Sequence, residues 1–169
     1  DAAAVKYPLR LMGCRCGYVG LDHVIDPTLL YPANEELVSQ SRGLTQHLTE
    51  YAESLAATLP PKSSILDIGA NDGTFLEVME SKGHYVLGVE PSQCAAKVAD
   101  SLGIHNIRGF FERAMADNLE DRYTFHLVTA SRVWSNVPEP VAFLENVRRL
   151  LAPEGRFIIE TGYLPNILE

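Results

Sequence analysis

Apolar positions along this chain follow two rhythms, and the change between them marks the architecture. Over residues 35–59, Leu37, Leu44, Leu48, Tyr51, Leu55 and Leu59 are spaced by threes and fours, which lines one face of a long amphipathic helix. Pro60 and Pro61 end it. Short apolar runs follow at 65–68, 86–89, 107–110, 125–130 and 157–159, and each predicts a strand. Helical stretches at 74–81, 94–102, 113–118 and 141–151 separate them. Strand-helix alternation of this kind predicts an α/β fold with a parallel sheet and helices on both faces, because every crossover must return over the sheet. Pro153-Glu154-Gly155 predicts a break before the fifth strand. Near the start, Tyr7 to Leu11 and Tyr18-Val19-Gly20-Leu21 predict two short strands around a turn, while residues 1–5 are small and weakly patterned.

Composition narrows the class. A chain of 169 residues with 46% hydrophobic positions can bury one core of ordinary size. Its net charge of −8 repels a phosphate backbone, and the densest basic pair, Arg148-Arg149, reads as the solvated end of a helix, so no nucleic-acid partner is expected. There is no apolar run long enough to span a bilayer and no signal-peptide order at the start, so no membrane insertion is expected either. Cys14, Cys16 and Cys94 cannot make a disulfide framework, which points to a reducing compartment, the cytoplasm or an organelle.

The chemistry sits where the first predicted strand ends. In an open parallel sheet, ligands bind beyond the carboxyl ends of the strands. There the chain reads Ile65-Leu66-Asp67-Ile68-Gly69-Ala70-Asn71-Asp72-Gly73-Thr74. The glycines permit a sharp turn and close approach to a ligand, and the acids supply acceptors. No lysine follows as a Walker loop requires, and the dinucleotide pattern Gly-x-Gly-x-x-Gly is missing. Asp72 would repel a pyrophosphate but accept from an amino acid's ammonium. Glu90 closes the second strand, where an acid accepts from ribose hydroxyls. A ligand with a ribose and an amino-acid end but no phosphate is S-adenosylmethionine.

Asp67-Ile68-Gly69-Ala70-Asn71-Asp72-Gly73-Thr74, Gly88-Val89-Glu90-Pro91-Ser92, Phe110-Phe111 and Ile159-Glu160-Thr161-Gly162-Tyr163-Leu164 together resemble the class I methyltransferases that methylate carbon in nucleotide-linked deoxysugars. Cys16-Gly17-Tyr18-Val19 resembles the end of that family's zinc-binding module, and Ser41 with His47 resembles its linker helix. The resemblance implies a remnant of the zinc module over 1–32, a linker helix over 33–61 and a Rossmann-like core over 62–169, incomplete after the fifth strand. It also implies S-adenosylmethionine as cofactor and a nucleotide sugar as substrate. Asp67, Gly69, Asn71, Asp72 and Gly73 would then line the methionine end, Glu90 the ribose, and Pro91 and Ser92 the adenosine. Phe111 would lie near the adenine, and Ala130 to Arg132 would close the site.

The chain also departs from that family. Cys14 and Cys16, even with His23, fall short of the four ligands of tetrahedral zinc, so zinc is not expected. Cys94 reads as a small buried hydrophobe. Arg132-Val133-Trp134-Ser135-Asn136 stands where the family tends to place Asn-Val-Phe-Ala-His, so a titratable histidine is replaced by asparagine. His47, His84, His105 and His126 do not cluster in sequence and give no catalytic candidate. The family's later histidine-rich motif lies beyond Glu169, so further residues or a partner chain are expected over the edge of the fifth strand. Two readings stay open: an active methyltransferase, and an inactive methyltransferase-like subunit of a larger assembly.

Overall fold

The computed structural model describes residues 6–31, 36–163 and 166. Residues 1–5, position 35 at the predicted helix start, and Leu164 lie outside the described residues. The chain opens with a hairpin of β1 (Leu11–Gly13) and β2 (Val19–Leu21), paired antiparallel. A 3-10 turn (Val38–Gln40) precedes α1 (Arg42–Ala56). The helix starts later than its apolar spacing suggests, because the Ser41 side chain accepts from the Leu44 amide and caps it there.

From there strands and helices alternate: β3 (Ser64–Ile68), α2 (Thr74–Ser81), β4 (Tyr85–Glu90), α3 (Gln93–Ser101), β5 (Asn106–Arg108), α4 (Arg113–Glu120), β6 (Phe125–Ser131), α5 (Pro140–Leu150) and β7 (Leu151–Glu160). The five strands form one parallel sheet in the order β5-β4-β3-β6-β7. This is the Rossmann-like arrangement that the alternation predicts. β4 lies on one side of β3 and β6 on the other, so strand order reverses at β3, where a crevice opens beyond the carboxyl ends.

Side chains alternate across the sheet and divide the core in two. Leu66, Ile68, Leu87, Val89 and Val128 face α4 and α5, packing with Leu119, Phe143, Val147 and Leu150. Ile65 and Leu127 face the other way, onto Ala52 of α1, Phe75, Leu76 and Met79 of α2, and Ala99 of α3. The same alternation carries Asp67, Thr129 and Glu160 onto the α1 face, since each is two residues beyond an apolar member of that face, Ile65, Leu127 or Ile158. Across the opposite helix pair, Arg149 does not project freely into solvent as its sequence suggests. It donates to Asp117 at 2.7 Å and also to Glu120, tying α5 to α4.

Two expected boundaries change. Phe110 stands outside β5, which stops at Arg108, and Gly109 turns the chain with φ 151. Pro153-Glu154-Gly155 interrupts the pairing of β7 but does not precede the strand. Phe125 pairs with Leu151 and Leu127 with Arg156, so the intervening residues bulge out, with Glu154 at φ 63. Gly155 fits because a Cβ there would sit 2.8 Å from the carbonyl oxygens of Ala152 and Phe125.

Candidate functional site

Gly69 and Gly73 both take positive φ (76 and 83), and the turn between them links β3 to α2. A Cβ on Gly69 would come within 2.4 Å of Val133 Cγ2. The turn is pinned from β4: the Gly69 amide donates to Val89 O at 2.8 Å, and the Asn71 amide donates to Glu90 Oε2 at 2.9 Å. Glu90 Oε1 accepts from the Ser92 amide at 2.7 Å, and the Ser92 hydroxyl in turn accepts from the Ala95 amide as the cap of α3. One carboxylate therefore fixes both loops. Each of its oxygens keeps a further lone pair for a ligand hydroxyl.

A cavity of about 660 Å³ opens over these elements, within the range of small-molecule sites. Asp67, Gly69, Asn71, Glu90, Pro91, Phe111 and Arg132 are on its wall. Asp72, Gly73, Ser92 and Ala130 stand behind it; Gly73 begins α2, Ser92 caps α3, and Ala130 is fully buried in the core. Phe111 both lines the cavity and packs edge-on against Phe143 at 5.2 Å, and Phe110 lines it beside Tyr31.

The wall is acidic. Among the described residues it carries eight carboxylate side chains against Arg113 and Arg132. Burial pushes the Asp67 carboxyl up to about 7, partly offset by the Thr129 hydroxyl that donates to it at 2.8 Å and reinforced by the charge of Glu90. Burial also holds Glu90 above its ordinary range, against its two amide donors and with the help of Asp72. Two buried acids beside a glycine turn suit a cation with hydroxyl groups.

Asp72 has another task than the ammonium acceptor assigned to it from sequence. Its Oδ2 accepts from the Ser39 amide at 2.8 Å, and its Oδ1 accepts from the Thr74 hydroxyl at 2.7 Å and amide at 3.3 Å. Asn71, at φ 49, accepts from the Val38 amide at 2.9 Å and donates to Glu36 O at 3.0 Å. The pair thus straps residues 36–39 across the turn, and Glu36, Leu37 and Val38 complete the cavity wall. Asp72→Ala leaves buried donors unmet, and we expect it to cost about 3 kcal/mol of stability, read from urea denaturation.

Sequence reasoning gave His47 no catalytic role and Glu160 only a place in a family motif, and did not bring the two together. His47 Nε2 lies 3.0 Å from Glu160 Oε2, and both side chains line the cavity. A signal was present, since His47 falls among Leu44, Leu48 and Tyr51 on the inward stripe of α1. Of the other histidines, His84 is buried under α2 and His126 meets Ser64 at the opposite end of the sheet. Among the described residues no group of three or more His, Cys, Asp or Glu side chains could hold a metal ion, and no helix is long and apolar enough to cross a membrane.

Comparison with known proteins agrees with this geometry. A family model described as a methyltransferase domain matches residues 41–166. C-methyltransferase NovU of Streptomyces niveus is 28% identical over 167 residues, covering 96% of this chain and 40% of that protein. Ubiquinone biosynthesis O-methyltransferase of Paraburkholderia xenovorans (strain LB400) is 33% identical over 101 residues, covering 58% of this chain and 44% of that protein. The chain spans less than half the length of either relative. The crystal structure of an S-adenosylmethionine-dependent methyltransferase from Mesorhizobium loti aligns with a TM-score of 0.54 at 26% identity, over 69% of this chain and 55% of that one. With a matching domain over the whole glycine-turn sheet, this chain belongs to the methyltransferase-domain family and has the fold of the class I S-adenosylmethionine-dependent enzymes.

Proposed function

We propose that the chain binds S-adenosylmethionine in the acidic cavity and directs its methyl group to carbon in a nucleotide-linked deoxysugar. The observation that carries this reading is the Glu90 carboxylate, locked by the Asn71 and Ser92 amides at the end of β4 with a free face toward the cavity. The likeness to a C-methyltransferase along nearly the whole chain supports carbon as the acceptor.

Glu90 would accept from the ribose hydroxyls. Asp67 would face the positive charge at the methionine end, and Gly69 would let that end approach the backbone. Pro91 and Phe111 would flank the base, and Arg132, held by its amide donating to Glu160 O at 2.7 Å, would close the side toward β6. When bound, the cofactor supplies an electrophilic methyl group on a cationic sulfur. The protein's part is mainly to orient the two reactants and exclude water.

Residues 62–169 form the catalytic core in this proposal, 33–61 the linker that straps it, and 1–32 a remnant module. The outer edge of β7 is where a partner chain, or a further stretch of a longer protein, would pair. The test is transfer of labelled methyl from S-adenosylmethionine to a nucleoside-diphosphate-linked 4-ketosugar by the full chain. Label in the sugar carbon is expected. Cofactor binding with no label in that sugar would overturn the substrate assignment.

A further inference from the structure

Two arginines stand on the wall of the acidic cavity, and only one of them is ion-paired among the described residues. Arg113 turns to Asp117 on its own helix, with Nε 3.8 Å from the carboxylate. Arg132 has no carboxylate within ion-pair distance, although eight line the same wall. Its backbone is also held where an arginine seldom sits. The φ of 61 lies in the left-handed region, which glycine and asparagine enter more readily. Two hydrogen bonds keep it there: the Arg132 amide donates to Glu160 O at 2.7 Å, and the Arg132 carbonyl accepts from the Asn136 side chain at 3.4 Å. Backbone strain at a cavity wall points to a use for the side chain that causes it.

The surroundings of Arg132 say which use. It follows the last residue of β6, and the register sets Thr129 of that strand level with Asp67 of β3. The next residue, Val133, lies against the glycine turn, where it would meet a Cβ on Gly69. Arg132 is therefore anchored beside the turn that would receive the methionine end of the cofactor. An amino-acid end carries two opposite charges on one carbon. Asp67 suits the ammonium, but a wall with eight carboxylates repels the carboxylate unless a cation meets it. A guanidinium fork matches a carboxylate with two parallel hydrogen bonds.

We propose that Arg132 holds the α-carboxylate of the cofactor's methionine end, so that the site selects adenosyl ligands carrying a complete amino acid over those that lack the carboxylate. This rests on the reading of the cavity as an S-adenosylmethionine site and deepens it, by naming the group that the site demands of its ligand. An arginine merely solvated at the end of a strand would be indifferent to that group. The acidic wall would then favour decarboxylated S-adenosylmethionine, which is one charge more positive. The two accounts predict opposite orders of affinity.

Calorimetric titration of the full chain with S-adenosylmethionine and with its decarboxylated analogue tests this. The analogue keeps the adenosine, the sulfonium and the amine. The wild type should bind S-adenosylmethionine more tightly by about 10-fold or more. Arg132→Asn removes the charge and suits the left-handed backbone. In that variant the preference should vanish: S-adenosylmethionine loses about 10-fold or more, while the analogue, relieved of a like charge, binds at least as well as to the wild type. Arg132→Lys keeps the charge without the fork and should retain part of the preference. An Arg132→Asn protein that keeps the wild-type preference, or that weakens both ligands equally, would overturn the proposal. So would a wild type that binds both ligands alike. A folded wild type that binds neither would strike the reading of the cavity itself, and this assignment with it.

Discussion

Glu90→Ala is expected to weaken S-adenosylmethionine binding by about 10- to 100-fold and to destabilise the fold by about 3 kcal/mol, because one carboxylate serves both purposes. Its two oxygens accept the Asn71 and Ser92 amides at 2.9 and 2.7 Å, so truncation releases the glycine turn and the start of α3 together. Hydrogen bonds to a charged group contribute about 1.5–3 kcal/mol each, and the ribose hydroxyls would add to that count when the ligand binds. Glu90→Gln separates the effects. Its amide keeps one acceptor, but the NH2 group must face the other backbone donor, so stability falls less than in the alanine variant while the ribose loses its charged acceptor. Denaturation and calorimetry on both variants check this. Unchanged affinity in Glu90→Ala would remove the ribose from Glu90.

The second large effect concerns Asp67 and pH. Its folded-state carboxyl stands at about 7 against an ordinary value of 3.8. The ligand-free folded state therefore holds a proton that the unfolded chain has lost between those values, and stability falls as pH rises through that window. Asp67→Asn removes the cost: the variant should match the wild type near the lower value and be more stable above pH 7. Ligand binding runs in the opposite sense. A cation beside Asp67 favours the ionised form, so binding should release a proton, and affinity should grow as pH rises through 7, by up to about tenfold per unit. The asparagine variant should bind weakly and with a flat profile. Calorimetry in buffers of different ionisation heat measures the proton directly; no proton release at pH 7 would place the cation away from Asp67.

These two acids were legible in the sequence because they end strands. Short apolar runs at 65–68 and 86–89 identify β3 and β4, and parallel topology places their carboxyl ends at one crevice. Thr74–Ser81 was equally legible, since a glycine turn and an apolar stripe define α2 without help from the rest of the chain. Contacts over long separations were not. Asn71 and Asp72 look like ligand groups in sequence, yet their partners include backbone groups of residues 36, 38 and 39, and nothing local announces that strap. His47 and Glu160 are each unremarkable in their own segments, and only the shared face of α1 and the sheet joins them. Pro153-Glu154-Gly155 reads as a chain break because its residue types break most elements, but the edge strand absorbs it as a bulge.

The claim on which the rest depends is that the cavity beneath Glu90 holds S-adenosylmethionine. Calorimetric titration of the cofactor into the full chain above pH 7 tests it most directly, with Glu90→Ala measured beside the wild type. Saturable binding of one molecule per chain, strongly weakened in the variant, is the predicted result. No saturable heat from a folded wild type, or equal binding by the two proteins, would contradict it.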